Sequence, residues 1–439
     1  MRASRSLWRR HARILGGLAA PVLLSLCPNG QAAERPATLP SQIVVPAAAP
    51  RVFDIATARA TAVECQPTVI AARASLTGAQ LKSEAVDRIK LGALIARDVP
   101  IRKKQAALGV SIAAASLQTA ECDARNAATF SYLAVLFARE QMKTAADAKV
   151  RLNDLKDLVK TAAEKGRRDV FKDEQLALVD SFVTLLEGRG EEATAGEQRA
   201  LAALREALGL GPDCPIDVVG TKLPDVQTKV ERDVIVQLAL SRRGEVIQAA
   251  TAERVFCLEV DAQGRILFSP ARTFALGGDI HATPLGVGQF DPDYRPGPLA
   301  PEMAVTLTGS RHSRQEQAGA WHDRAEALSE KTRNLIGLEA VDAYLRWKQF
   351  DESAPKLEKA AVGLEEYSND LSKNKFNPDK AGYPGVDDLV NAGLRTTLIR
   401  VDANLIRFRR LTALANLERV TGGGFDAGFE TAATEPEQK

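Results

Sequence analysis

The chain has 439 residues with 58 basic and 56 acidic side chains, a balance that argues against a nucleic-acid partner held by bulk electrostatics. Aromatic residues make up only 5% and Ala, Leu, Glu, Lys and Arg are abundant, the composition of long helices packed through small side chains. The length allows two or three domains, or one duplicated helical rod.

In chain order, Arg2, Arg5, Arg9, Arg10 and Arg13 form a basic start, followed by an apolar run from Ile14 to Leu26 that is too short to span a bilayer as a permanent helix. Gly30-Gln31-Ala32 supplies the small residues that a signal peptidase reads, so residues 1–32 are expected to be a signal peptide. Leu26 is a poor neighbour for an acylated Cys27, which favours plain export over lipidation. Residues 33–54 are rich in Pro and Ala and read as a disordered leader.

The first unit is expected over residues 55–210. A short helix from Ile55 leads to Pro67, well placed in the first turn of a helix that runs to about Arg97, before the break at Asp98-Val99-Pro100. From Ile101 to Ala163 there is no Pro and a single Gly, which implies a helix roughly 95 Å long. Its distal half carries Met142, Ala145, Ala148, Leu152, Leu155, Val159 and Ala162, spaced by three and four as in a coiled-coil seam. Gly166 caps it, Asp169 opens a return helix to about Leu208, and 211–230, with Pro212, Pro215 and Pro224, is the linker.

The second unit, over residues 231–425, follows the same plan. A short helix over about Glu231–Arg242 precedes one opening at Gly244, and a second long helix spans about Ser313 to Leu371. Its seam is Trp347, Phe350, Ala354, Leu357, Ala361, Leu364, Tyr367 and Leu371, with Pro355 expected to kink it. A turn from Asn374 to Gly385 leads to a return helix that opens at Asp387 or Asp388 and ends at Gly422–Gly424. Residues 426–439 read as a disordered tail.

The two units share motifs. Val69-Ile70 recurs as Val246-Ile247 at an offset of 177, and Tyr132-Leu133 as Tyr344-Leu345 at an offset of 212. The second unit thus carries 35 extra residues (212 − 177) between its helices, and there the pattern alternates. Phe274, Leu276 and Ile280 are one apolar series; Met303, Val305 and Leu307 are the other. Period-two alternation flanking a Gly- and Pro-rich loop predicts a β-hairpin over about 266–310, with one apolar and one polar face suited to a membrane barrel.

Chemistry-bearing motifs are scarce. His281, His312 and His322 lack metal-site spacing, no phosphate-binding loop or nucleophile motif is present, and no enzyme, cofactor or metal is expected. Cys65, Cys122, Cys214 and Cys257 have no C-x-x-C spacing and read as isolated small residues. The carboxylates Asp147, Asp154, Asp157, Glu365, Glu366 and Asp370 sit on the distal long helices, either as the wet face of a coiled coil or as a ring that would select cations if repeated by symmetry.

The openers Pro67-x-Val69-Ile70 and Gly244-x-Val246-Ile247, the turns Gly166-x-x-Asp169 and Gly385-Val386-Asp387-Asp388-Leu389, the Tyr-Leu segments and the closing Leu417-Glu418-Arg419-Val420-Thr421-Gly422 occur in an order that resembles the TolC family of outer-membrane efflux proteins. The resemblance implies a mainly α fold of duplicated long antiparallel helical hairpins with a small β-hairpin membrane segment, assembled as a homotrimer in the outer membrane. It implies a passive conduit in a tripartite efflux or type I secretion system, with a periplasmic adaptor, an inner-membrane pump and outer-membrane lipid as partners. The helix turns at Lys165, Gly166, Arg167, Gly382, Tyr383 and Gly385 would then dock the adaptor, and Phe274, Leu276, Ile280, Met303, Val305 and Leu307 would face the membrane. The first unit lacks the alternating segment, so the alternative is a non-conducting helical scaffold of the same fold attached to the outer membrane.

Overall fold

Asp54 marks the start of the helical body because its carboxylate accepts the Thr57 amide at 2.7 Å while the Thr57 hydroxyl accepts the Asp54 amide at 3.1 Å, a reciprocal cap. The computed structural model describes residues 49–89, 96–164, 173–266, 307–373 and 386–432. From the cap, α1 spans Ile55–Cys65 and α2 spans Pro67–Asp87, with Pro67 in the first turn where its missing N–H costs nothing. The long α3 (Val99–Glu164) and the return α4 (Asp173–Ala207) form the first hairpin. Then come α5 (Arg232–Arg242), α6 (Gly244–Arg265), the long α7 (Arg311–Lys373) and its return α8 (Val386–Val420).

These helices correspond in pairs. α1 and α5 each have 11 residues and start 177 apart (232 − 55), as do α2 and α6 (244 − 67). α3 and α7 start 212 apart (311 − 99), and α4 and α8, of 35 residues each, 213 apart (386 − 173). Each return helix ends in a glycine of positive φ, Gly209 at 66° and Gly422 at 61°. Each end closes with paired bonds, Gly209 N–H to Glu206 and Leu210 N–H to Arg205, then Gly422 N–H to Arg419 and Gly423 N–H to Glu418.

Three sequence expectations are corrected. α2 stops at Asp87 rather than near Arg97; neither Gly nor Pro marks that end, so local pattern could not place it. Arg51–Phe53, assigned to the leader, forms β1 and pairs in parallel with β2 (Ile216–Val218) in the linker. A three-residue strand shows no period, and its partner lies far along the chain. Part of the expected tail is ordered as well: α9 (Phe429–Ala432) follows a segment in which Ala427 and Phe429 are buried. There the Ala427 amide donates to Glu418 and the Thr228 hydroxyl donates to the Ala427 carbonyl, each at 2.8 Å. α7 runs continuously past the exposed Pro355.

The core sits where α1, α5, the two strands and the middles of the long helices meet. Val69, Leu133, Leu136, Leu204, Leu208, Ile235, Ile336, Leu414 and Leu417 are buried there. α3 fixes the sheet against this core: the Tyr132 hydroxyl donates to the Val219 carbonyl at 2.8 Å, and Arg139 donates to the carbonyls of Val218 and Gly220 at 3.0 and 2.9 Å. The distal first hairpin zips through Ala148, Leu152 and Leu186 with Phe182 and Val183.

Candidate assembly surface and conduit wall

The long helices form a row. α3 packs on α4 and on α8, α8 packs on α7, and α4 and α7 make no extended contact with each other. They face across a cleft of about 540 Å3 lined by Asn126, Phe130, Glu206, Asp342, Arg346 and Arg409, among others. The order is therefore α4–α3–α8–α7, with one helix open at each end.

Those end helices carry apolar side chains in the open. Leu178 and Leu185 on α4 are 37% and 50% exposed, and Leu338 and Leu345 on α7 are 59% and 54% exposed. Each pair is seven residues apart, the spacing of a seam that meets a partner helix.

Within the row, aromatic and polar contacts join the two hairpins. Phe137 stacks on Phe408 with ring centroids 4.8 Å apart, joining the two hairpins, and Phe130 meets the same ring at 5.8 Å. Gln141 donates to the Val401 carbonyl at 3.3 Å and Asn404 to the Thr144 hydroxyl at 3.2 Å. Nearby, Glu140 accepts the Leu223 amide at 2.9 Å, and Arg407 donates to the Leu223 carbonyl at 3.1 Å, so the linker is gripped on both backbone groups. Burial pushes the Glu140 carboxyl above its ordinary range, against the lowering effect of the Leu223 amide and Arg407.

The second unit has a buried ionic tie. Arg243, 3% exposed, pairs with Glu245 at 3.0 Å and with Glu339, and Arg419 reaches the other oxygen of Glu339 at 2.7 Å. This fixes the α5–α6 elbow to both α7 and α8.

Of the residues singled out by sequence, Leu307 is described: it is buried, just ahead of α7. Phe274, Leu276, Ile280, Met303 and Val305, and the turn residues Lys165, Gly166, Arg167, Gly382, Tyr383 and Gly385, lie outside the described residues, as do residues 1–32. Among the carboxylates, Glu365 is bound to Arg400 at 2.8 Å, which Glu358 also pairs at 2.7 Å. Asp147, Asp154, Glu366 and Asp370 are exposed. His322, Asp323 and Glu326 bring ligand-type atoms within 4.8 Å of one another on α7, but the two acids are exposed and no ion site is assigned to them.

The exposed leucine pairs on the end helices carry no mark of their own in the sequence, because heptad spacing does not say which seam stays open. No described helix is long and apolar enough to cross a membrane.

No family model matches the sequence, and no curated protein matches it. Solved structures do. The chain is similar over 84% of its length to 90% of the outer-membrane channel OprN, with a TM-score of 0.66 at 13% identity. It is similar over 84% of its length to 89% of the open-state MtrE outer membrane channel of Neisseria gonorrhoeae, at 0.63 and 14%. A third neighbour is the outer membrane protein VceC of Vibrio cholerae, matched over 85% of this chain and 97% of that one, at 0.59 and 16%. The chain has the mainly helical fold of the TolC-type outer-membrane channels, in a divergent sequence.

Proposed function

We propose that this protein is the outer-membrane channel subunit of a tripartite efflux or type I secretion system, made of one duplicated unit and working as a passive homotrimeric conduit. The observation that carries this reading is the four-helix row with heptad-spaced leucines exposed on both end helices. Copies related by rotation would bring α7 of one against α4 of the next, covering the open faces of both end helices and closing the row into a tube. Three copies would give a wall of 12 long helices, from four per copy. The alternating residues Phe274, Leu276, Ile280, Met303 and Val305 are assigned to membrane strands, which would place the tube below the outer membrane in the periplasm; Leu307, expected with them, is instead buried outside any strand at the foot of α7. The turns at Lys165–Arg167 and Gly382–Gly385 are assigned to docking a periplasmic adaptor, with an inner-membrane pump beneath. Export by the N-terminal signal peptide is part of the same reading, and no catalytic step is assigned.

The test is separation of inner and outer membranes, an alkaline wash of the outer-membrane fraction, and conductance of the purified chain in planar bilayers. Retention with discrete conductance steps is the expected result. Release into the soluble fraction without conductance would replace the channel by the second reading, a non-conducting helical scaffold, which the absence of an alternating segment in the first unit favours.

A further inference from the structure

α6 ends at Arg265, and the chain returns to a described path at Leu307, just before α7. One side chain holds both of these points. Arg314, 6% exposed, donates through Nη2 to the Ile266 carbonyl and through Nη1 to the Gly309 carbonyl, each at 2.8 Å. The two oxygens are thus within about 8 Å of each other, given the fixed fork of a guanidinium. Gln317 adds a grip on the returning limb: its amide donates to the Thr308 carbonyl at 2.8 Å and accepts the Thr308 amide at 3.2 Å.

The clamp continues into the first unit. Arg314 Nε donates to Gln263 at 3.0 Å, and Gln263 donates to Glu259 at 2.6 Å. Glu259, 1% exposed, is held in a fork by Arg102, through a short contact to Nη1 and a 3.1 Å bond to Nη2, and by Gln105 at 2.8 Å. Arg102 in turn pairs with Asp98 at 3.1 Å, at the root of α3. Arg102 and Arg314 lie 212 apart (314 − 102), as do Gln105 and Gln317 (317 − 105), each at the same step of its long helix. One buried chain of hydrogen bonds therefore joins the foot of α3 to both ends of residues 267–306. Buried charges are costly unless fully paired, so such a chain holds a single geometry or none.

We propose that Arg314 is a positioning residue for segment 267–306: its guanidinium fixes where that segment leaves and rejoins the helical body, and Gln263, Glu259 and Arg102 register it to the first unit. The assignment goes beyond the channel reading and does not depend on it. Amide hydrogen exchange of the purified full chain, followed by mass spectrometry, tests it with R314Q, R314K and R311Q, the last removing an exposed charge three residues away.

In R314Q, exchange rises together at 264–266 and 307–310, by about tenfold or more, while α4 and α8 keep their protection. R314K keeps the charge without the fork and gives an intermediate rise at both ends, and R311Q matches the parent chain. A rise at one end alone, no rise, or an equal rise in R311Q overturns the proposal. Should R314Q fail to fold, R314K decides: unchanged exchange at the two ends refutes the clamp. A parent chain that washes off the membrane and shows no conductance refutes the channel and leaves this result standing.

Discussion

A glycine series tests whether the two units are built on the same joint. A Cβ on Gly209 would lie 2.3 Å from the Cys65 carbonyl oxygen and 2.8 Å from Gln66 Cα, the backbone of the α1–α2 elbow. On Gly422 it would meet the corresponding α5–α6 elbow less tightly, 3.0 Å from the Arg242 oxygen and 3.2 Å from Arg243 Cα. Both residues have positive φ, so alanine costs about 1–2 kcal/mol in backbone strain at either site. Restriction of the unfolded chain returns about 0.4–1 kcal/mol. At Gly209 the clash is with backbone that cannot swing aside, adding about 1–3 kcal/mol. Gly209→Ala should therefore destabilise by about 1–5 kcal/mol and Gly422→Ala by about 0–2 kcal/mol. Gly196 lies inside α4 with nothing within 4 Å of its Cβ position, so Gly196→Ala should stabilise by about 0.5–1 kcal/mol. Urea unfolding followed by far-UV circular dichroism, at one fixed protein concentration, reads all three. The reasoning is refuted if Gly209→Ala costs no more than Gly422→Ala, or if Gly196→Ala destabilises as much as either.

Glu339→Gln leaves the buried Arg243 and Arg419 without their shared counter-charge and should cost about 3–5 kcal/mol; Glu192→Gln, at the exposed Arg189 pair, should cost under about 1 kcal/mol, and equal losses in urea melts would sink the distinction. Burial pushes the Cys122 thiol up to about 11, so in the native protein a maleimide should label the exposed Cys65 and Cys257 and spare Cys122, which intact-mass analysis would contradict if Cys122 reacted at a similar rate. Glu140 has a raised folded-state pKa, so the folded chain binds its proton more tightly than the unfolded chain and stability from this group rises as pH falls through that pKa. Relative to Glu140→Gln, the parent protein should gain stability as pH drops from about 8 to about 5, and a gain in the opposite direction would refute the burial argument.

The helical plan is legible in the amino-acid order alone. Proline-free runs, seams spaced by three and four, Pro67 at a helix start and glycines after Leu208 and Val420 are local signals, and each is written within a turn or two of where it acts. The same local logic placed Gly244 at the head of α6 and kept the two hairpins in order. Features whose partners are remote in sequence emerge only on folding. Arg51–Phe53 becomes a strand because Ile216–Val218 lies beside it, and no short-range pattern encodes that pairing. Phe429 is ordered because α1 offers Arg59 over its ring at 5.9 Å and Glu418 holds the preceding turn. The candidate site divides in the same way. Exposed Leu178 and Leu345 are indistinguishable in sequence from the buried seam leucines, since heptad spacing gives a stripe but not its partner. The Arg102–Glu259–Arg314 chain left a faint trace, two arginines at the 212-residue offset, but Glu259 has no such counterpart in the first unit, where Lys82 stands at the 177-residue offset. A buried charge network is chosen by three-dimensional proximity, because only in the packed protein does an unpaired charge become costly enough to require its partners.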